Sequence, residues 1–169
     1  MRPDPKDGRC ETRRRAFAIK AEVRDPRATI FTFTAQKTMY GGKRIAKGDA
    51  LFVFASENEG GSGLIASGVV TSARALPKRR GIARQTPRVS ITIRRTALAK
   101  PRLGRGELKP FSNWNDGRPE TELNFKLYRQ ATNKIVGISA DAATYLREFF
   151  SGTRDGRRDI RKTDRGRSR

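Results

Sequence analysis

The sequence predicts a mostly β protein of the α+β class, a compact and strongly bent sheet or a β-barrel with a C-terminal helix. Two observations predict this fold class. Apolar and polar residues alternate with a period of two in several short segments, and turn residues separate these segments at close intervals. A segment after Ser139 instead repeats its apolar residues at helical spacing. We therefore expect six or seven short strands and a terminal helix, not a parallel α/β sheet.

The first predicted strands lie before residue 56. Phe17 to Val23 alternates as a half-buried strand does, and Thr29 to Thr34 places its two phenylalanines on one face. Tyr40 to Lys43 forms a flexible, basic, glycine-containing loop. Leu51 to Ala55 is apolar on both faces, which predicts the central strand of the core.

The later elements begin with a polar, glycine-rich loop at residues 56–63. Leu64 to Thr71 is the next predicted strand, in which Gly68 marks a bulge or a close approach of another backbone. Further strands are predicted at Val89 to Ile93, Leu123 to Tyr128 and Lys134 to Ile138. Ser139 is the predicted cap of the helix that closes the core. The apolar residues of this helix are Ala142, Ala143, Leu146, Phe149 and Phe150.

One domain, residues 16–150, is predicted between two basic tails. Residues 1–15 and 151–169 are rich in charge and contain few apolar residues, so burial cannot offset the entropy of ordering them. Both tails are expected to be disordered. The C-terminal tail could add phosphate affinity or have no role.

The charge of the chain predicts a polyanionic partner. The chain has 38 Lys and Arg against 17 Asp and Glu, a formal net charge of +21. Residues 16–150 alone carry 24 cations against 11 acids. Because most of the excess lies on the predicted folded body, we expect a patterned surface that docks a phosphate backbone. The expected partner is nucleic acid, either DNA or RNA.

Several classes of protein are not expected. The single Cys10 has no partner for an internal disulfide, which fits a reducing cytoplasm. No apolar run approaches the ~20 residues that span a bilayer, so membrane insertion is not expected. The chain contains no histidine, which excludes Ser-His-Asp and Cys-His nucleophile systems, histidine bases and histidine-ligated zinc.

Enzymatic function is therefore not the preferred interpretation, and no catalytic residue, cofactor or metal is assigned. The chain has neither a GxxxxGK[ST] phosphate loop nor a GxGxxG fingerprint. A metal nuclease could be built from carboxylates alone, although none has a specific metal-ligand spacing. These carboxylates are Glu57, Glu59, Asp116, Glu120 and Glu122.

The order of the central segments resembles the EVE domain, a member of the PUA-like superfamily with the ASCH and YTH domains. The resemblance rests on the Gly48-Asp49 turn, the strand LFVFAS ending in Ser56, the glycine loop and the strand GLIASGVV. It implies a β-barrel with flanking helices over residues 16–150 and, as in EVE and YTH relatives, an aromatic cage for a modified base. ASCH relatives include amide hydrolases of modified nucleosides that use lysine, threonine and glutamate, but no matching triplet is found. The long basic segment from Ser72 to Arg88 departs from the EVE pattern.

The residues that could hold a flipped base are aromatic rings for stacking and neutral polar groups for the base edge. They are Tyr40, Ser56, Asn58, Trp114, Asn115 and Tyr128. Nearby cations could bind the phosphate backbone. They are Lys37, Lys43, Arg44, Arg118 and Arg129.

Each of these assignments has a structural alternative. Trp114 could equally be a lid that packs over the barrel, and Ser56 and Asn58 could satisfy turn backbone. The strand phenylalanines are expected in the core. The leading functional hypothesis is a reader of a modified base; the alternatives are an RNA-coating accessory protein without base specificity and an ASCH-like hydrolase. The sequence does not predict the oligomeric state.

Overall fold

The computed structural model describes residues 15–130 and 133–150, which form a β-barrel covered on one side by helices. The described strands are β1 (Ala16–Ala21), β2 (Ile30–Met39), β3 (Ala50–Ala55), β4 (Gly63–Ala75), β5 (Arg88–Leu98) and β6 (Lys134–Ile138). The helices are α1 (Arg105–Leu108), α2 (Pro119–Leu123) and α3 (Ala140–Arg147). A π-helix, Asn124–Gln130, continues α2. The predicted tails lie outside the described residues, apart from Arg15.

The barrel is closed and mixed, with the strand order β1-β3-β4-β5-β2-β6. β1 pairs with β3 in parallel and with β6 antiparallel, and β2 pairs in parallel with β6. Closure pairs the strand edges of the barrel within the described residues, except where β4 extends beyond its pairing with β3. The predicted fold class is confirmed.

Two apolar cores lie on opposite faces of the barrel wall. Phe17 and Ile19 of β1 point into the barrel interior, together with phenylalanines 31 and 33 of β2. Ala16 and Ala18 point outward to the second core, which the helices form with Phe52 and Phe54 of β3. β1 is therefore buried on both faces over its whole length.

The predicted strand from Leu123 to Tyr128 is wrong, because this segment is helical. Pro119 starts α2 at its first helical position, where the missing amide hydrogen costs nothing. Leu123 and Leu127, four residues apart, are fully buried, whereas Phe125 between them is only half-buried. The period-two pattern that predicted a strand is thus a helical pattern in which one apolar residue lies outside the core.

Two other local predictions, the Ser139 cap and the close approach at Gly68, are confirmed. The Ser139 hydroxyl accepts a hydrogen bond from the amide of Ala142 at 3.1 Å and caps α3. Gly68 lies where a side chain would meet the carbonyl oxygen of Arg94 at 2.6 Å. Within the described residues, no helix is long and apolar enough to cross a bilayer.

Candidate functional site

A buried lysine lies at the carboxyl end of β1. Lys20 follows Ala16 and Ala18 on the outward face of the strand, so its side chain points to the helices and not into the barrel interior. Lys20 is 1% exposed, and its ammonium has no hydrogen-bond partner in residues 15–130 and 133–150. Burial lowers its pKa from the ordinary value of 10.5, and the positive charge of Arg105 lowers it further, while Glu57 opposes the shift. A buried polar group without a partner is rare in folded proteins and calls for an explanation.

The surroundings of Lys20 come from two other segments. β1 and β3 are parallel, so their carboxyl ends meet at one edge of the barrel, where the Ser56 amide donates to Ala21 at 2.9 Å. Glu57 begins the short 3₁₀ helix that follows β3. Tyr128 comes from the π-helix, and its ring centroid lies 4.5 Å from the Lys20 ammonium. Its hydroxyl donates to Glu57 Oε1 at 3.0 Å.

Arg105 and Asn58 form the outer rim of this site. The Arg105 amide donates to Glu57 Oε2 at 2.7 Å, and its guanidinium donates to Asn58 Oδ1 at 3.2 Å. Both rim residues are exposed, whereas Tyr128 and Glu57 are half-buried. We name these five residues, Lys20, Glu57, Asn58, Arg105 and Tyr128, the Lys20 cluster.

The electrostatics of the Lys20 cluster keep the tyrosine neutral. Burial raises the pKa of Tyr128 far above its ordinary value, and the neighbouring Glu57 carboxylate raises it further. Tyr128 is therefore a hydrogen-bond donor and a neutral ring at physiological pH. The cluster combines an ammonium without a hydrogen-bond acceptor in the described residues, a carboxylate, and an aromatic ring over which Arg105 also lies, with its guanidinium carbon 5.8 Å from the ring centroid.

Tyr40 lies away from the Lys20 cluster, at the opposite end of β1. It is 43% exposed and lies in a cavity of 380 Å³ that Arg15 and Arg44 also line. The ammonium of Lys126 lies 4.9 Å from the Tyr40 ring and donates to the carbonyl of Gly137 at 2.8 Å.

Trp114 lies on the loop before α2. It is 74% exposed, and no ring contact joins it to Tyr40 or Tyr128 in the described part of the chain. The loop is held by its own turns: the Asn115 amide donates to Asn113 Oδ1 at 3.3 Å, and the Arg118 amide donates to Asp116 Oδ1 at 3.0 Å.

The predicted phosphate-binding cations lie on or next to four different elements of the fold. Lys43 and Arg44 lie on the 3₁₀ turn after Tyr40, and Arg118 precedes α2. Arg129 lies over the Phe125 ring, with its guanidinium carbon 5.3 Å from the ring centroid. Lys37 lies on β2 beside a larger cavity under the β4–β5 loop.

The structure thus brings together three of the six predicted ligand-binding residues, Ser56, Asn58 and Tyr128. Sequence reasoning did not assign Lys20 or Arg105 to the site, and considered Glu57 only as a metal ligand. One signal for Lys20 was present, because β1 is otherwise nearly all apolar and a lysine inside it is unusual. No sequence signal points to Arg105, since its contacts with Glu57 and Asn58 span more than 40 residues.

Comparison with known proteins identifies the fold. No protein-family model matches the chain, and none of the curated proteins matches its sequence. Among solved structures, the DUF55 domain of human thymocyte nuclear protein 1 matches with a TM-score of 0.54 and 11% identity, over 78% of this chain and 95% of that domain. The same human protein in complex with DNA containing 5-methylcytosine matches with a TM-score of 0.53 and 11% identity, over 78% and 95% of the two chains.

A bacterial structure gives the same result. A protein from Pseudomonas syringae matches with a TM-score of 0.50 and 16% identity, over 80% of this chain and 99% of that protein. The DUF55 domain is the EVE domain, which the order of segments in the sequence resembles. The chain therefore shares the fold of the DUF55, or EVE, domain.

Proposed function

We propose that this protein binds nucleic acid and reads a modified base, which it holds in the Lys20 cluster. The observation that carries the proposal is the Lys20 ammonium, which is buried without a hydrogen-bond partner in the described residues and lies beside both an aromatic ring and a carboxylate. A buried, unpaired charge destabilises a fold. The cost of burying the Lys20 ammonium is explained if a ligand supplies its missing hydrogen-bond acceptor.

The chemistry of the cluster favours a base with an exocyclic amino group. The Lys20 ammonium can donate to a carbonyl oxygen or ring nitrogen of the base, and the Glu57 carboxylate can accept from an amino group. Cytosine, adenine and guanine offer both kinds of group, whereas thymine and uracil lack the amino group and offer only the single ring N3–H as a donor. A base taken out of its stack can rest on the Tyr128 ring when it displaces the exposed Arg105 guanidinium, whose carbon lies 5.8 Å from the ring centroid.

The charge of the folded body supports the nucleic-acid part of the proposal. Within the described residues only three ion pairs join cations to carboxylates, by Arg24, Arg102 and Lys126. Most of the positive excess is therefore available for phosphates. The human structural neighbour is in complex with DNA containing 5-methylcytosine. This base carries an amino group, and it is the first modified base to test.

The test compares oligonucleotides that differ at one base. Binding of 5-methylcytosine, cytosine and thymine at the same position is measured by fluorescence anisotropy for the protein, for Lys20→Met and for Lys126→Met. The expected result is a preference for amino-bearing bases, and among them for the methylated one, that Lys20→Met abolishes and Lys126→Met retains. Equal preferences in the protein and in Lys20→Met would reject the base site. If neither the protein nor either variant shows a base preference, the RNA-coating alternative is favoured.

The same geometry supports one second function, hydrolysis of an acylated nucleoside. A buried lysine with a lowered pKa can act as a nucleophile or a base, and here it lies beside a carboxylate. Incubation of the protein with a nucleoside whose amino group is acylated, followed by chromatography, tests this. Release of the free amine by the protein but not by Lys20→Met would support the enzyme; an unchanged nucleoside would exclude it.

The remaining predicted contacts form part of the same proposal. Tyr40, Trp114 and Asn115 do not contact the Lys20 cluster in the described residues, so each could contact only neighbouring nucleotides or phosphates. Ser56 is buried at the end of β3; its amide donates to the Ala21 carbonyl, and its carbonyl accepts from the amides of Glu59 and Gly61 in the local turn. We therefore assign Ser56 a positioning role for Glu57.

A further inference from the structure

One aromatic side chain lies almost wholly in water. Trp114, the only tryptophan of the chain, is 74% exposed, whereas Ile30, the next most exposed large apolar residue of the described part, is 60% exposed. An aromatic ring buries about 150–250 Å² when it packs in a core or an interface. The protein itself covers little of the Trp114 ring, so the ring is available to a ligand.

The loop that carries Trp114 is ordered by its own hydrogen bonds. The Asp116 amide donates to the Asn113 carbonyl at 3.0 Å, which closes a turn around the tryptophan. The Asp116 carboxylate then joins the loop to α2, because it accepts from the Arg118 amide and from the buried Thr121 hydroxyl, both at 3.0 Å. A ring presented on an ordered loop loses less entropy on binding than one on a flexible segment. We name residues 111–118 the Trp114 loop.

The same helical segment holds the Trp114 loop and the Lys20 cluster. The buried side-chain amide of Asn124 donates to the Phe111 carbonyl at 2.9 Å and fixes the start of the loop. Asn124 begins the π-helix that carries Tyr128. The helical path from Arg118 to Tyr128 is roughly 15 Å long at the rise of an α-helix. Since the bases of a stacked strand are about 3.4 Å apart, the two rings are roughly four base steps from each other and contact different nucleotides.

The tip of the Trp114 loop is polar but has no cation. Residues 111–117 contain neither Lys nor Arg, although the chain as a whole is strongly basic. The side-chain amide of Asn115 is exposed beside the indole and has no hydrogen-bond partner in the described residues. A phosphate would need a cation at this place. A ring face next to a free amide instead suits a nucleobase, which stacks on the ring and has donors and acceptors on its edge.

We propose that the Trp114 loop is a second base-binding site, in which the indole stacks on a nucleobase other than the one held in the Lys20 cluster, and the Asn115 amide contacts the edge of that second base. This inference rests on the proposed function, because it assumes a nucleic-acid partner. It also specifies the substrate class. The face of a base is accessible only where a stacked neighbour is missing, as in a single strand or in the gap that a base leaves when it is taken out of a duplex.

The fluorescence of Trp114 tests the site directly, because no other tryptophan contributes to the signal. It is measured at saturation with a single strand that contains one 5-methylcytosine, with the corresponding duplex, and with a single strand in which roughly four nucleotides on each side of that base are abasic. The single strand should quench the fluorescence, and the abasic strand should not. Quenching by the duplex as well would place the indole in the gap, whereas quenching by the single strand alone would assign the site to unpaired strands. No quenching by either, or equal quenching by the abasic strand, would overturn the proposal.

Affinities of variants provide a second readout. Trp114→Leu should weaken binding of the single strand about tenfold, the effect of one stacked base, and Trp114→Phe should retain most of the affinity. Ile30→Ala is the matched control, because it removes another exposed apolar side chain, and it should change the affinity little. Equal losses of affinity in Trp114→Leu and Ile30→Ala would contradict a stacking role.

The outcomes separate the second site from the first. Trp114→Leu should keep the preference for the amino-bearing base, because that preference is assigned to the Lys20 cluster. Base preference without quenching of Trp114 would reject the second site and leave the proposed function intact. Quenching that depends on the flanking bases, in a protein without base preference, would support the Trp114 loop and reject the base site at Lys20.

Discussion

Lys20 and Lys126 each lie over a tyrosine ring, and they differ in burial and in hydrogen-bond partners. The Lys126 ammonium lies 4.9 Å from the Tyr40 ring, contacts Glu122 Oε2 at 3.3 Å and donates to the Gly137 carbonyl at 2.8 Å. Lys20 lies 4.5 Å from the Tyr128 ring, is more deeply buried, and has no hydrogen-bond partner within the described ranges. The first lysine has the contacts of a structural residue, whereas the second lacks an acceptor.

This difference indicates that Lys126 stabilises the fold, whereas Lys20 serves binding. Glu122 also accepts from the amide and hydroxyl of Ser139, so Lys126 belongs to a network that joins the π-helix, β6 and α3. Such a network stabilises the fold when complete. Lys20 contributes a desolvation cost without a hydrogen bond, and residues retained at a cost to stability are typical of binding sites. Lys126 is therefore a matched control for Lys20.

The largest expected effect is the loss of base binding in Lys20→Met. Methionine fills similar space but removes the donor, and a hydrogen bond to a charged group contributes about 1.5–3 kcal/mol. We expect affinity for the preferred base to fall roughly tenfold to a hundredfold. At the same time the free energy of unfolding should rise by about 1–2 kcal/mol, because a buried unpaired charge is removed. Denaturant unfolding measures the second effect; a destabilised variant would contradict it.

Stacking gives the next effect. Tyr128→Leu keeps an apolar side chain but removes the ring, and one base stacked on an aromatic residue contributes about 1–3 kcal/mol. We expect a loss of affinity of about tenfold. Tyr40→Leu is the control at the other lysine–tyrosine pair and should retain base preference. The affinity of both variants for the methylated oligonucleotide is measured by titration. Equal losses of affinity in the two variants would refute the assignment of the site to Tyr128.

Lys126→Met should change stability in the opposite direction from Lys20→Met. It removes the donor to the Gly137 carbonyl and leaves Glu122 without its cation. We expect a decrease in the free energy of unfolding of about 1–2 kcal/mol and no change in base preference. An increase in stability in both methionine variants would mean that the two lysines do not differ as the geometry indicates.

The pH dependence of stability tests the state of Lys20. Its pKa is lowered in the folded protein and is ordinary in the unfolded chain, so the unfolded state binds more protons between the two values. Stability should therefore rise as the pH increases from the lowered pKa toward 10.5, with a slope of no more than about 1.4 kcal/mol for each step of one in pH. The raised pKa of Tyr128 reverses this trend above about pH 10. The rise should be absent from Lys20→Met, and the same rise in both proteins would exclude Lys20 as its source.

The smallest expected effect is that of Trp114→Ala on folding. A side chain that is 74% exposed buries little apolar area, so the free energy of unfolding should change by no more than about 0.5 kcal/mol. Any loss of nucleic-acid binding by this variant would then reflect a direct contact. Thermal unfolding checks the stability, and a large decrease would instead identify Trp114 as a packing lid.

The strands and the cap of α3 could be predicted from the sequence because their signals are local. Alternation over six residues and a serine before an apolar helical pattern need no tertiary information. The segment Leu123 to Tyr128 could not be assigned in this way, since apolar residues at 123, 125 and 127 fit both a strand and a helix with one exposed position. Tertiary packing of Leu123 and Leu127 decided between them.

The site was less accessible to sequence reasoning than the fold. Ser56 and Asn58 were identified because they follow a central strand, but their partners are set by barrel closure. The parallel pairing of β1 with β3 brings Glu57 near Lys20, and the helical path of residues 124–130 brings Tyr128 over both. Neither the parallel pairing nor the helical path was predicted. The aromatic rings of Tyr40 and Trp114, which looked equivalent to Tyr128 in the sequence, lie in other places.

The most direct test is NMR observation of the Lys20 ammonium with ¹⁵N-labelled lysine, assigned by its absence from Lys20→Met. In the free protein Lys20 should titrate below its ordinary pKa of 10.5, because it is buried without an acceptor in the described residues. Saturation with the 5-methylcytosine oligonucleotide should shift its resonance and raise its pKa, while Lys126 should change little. A Lys20 resonance that titrates at the ordinary value, or that is the same with and without the oligonucleotide, would contradict the proposal that a base supplies the missing acceptor.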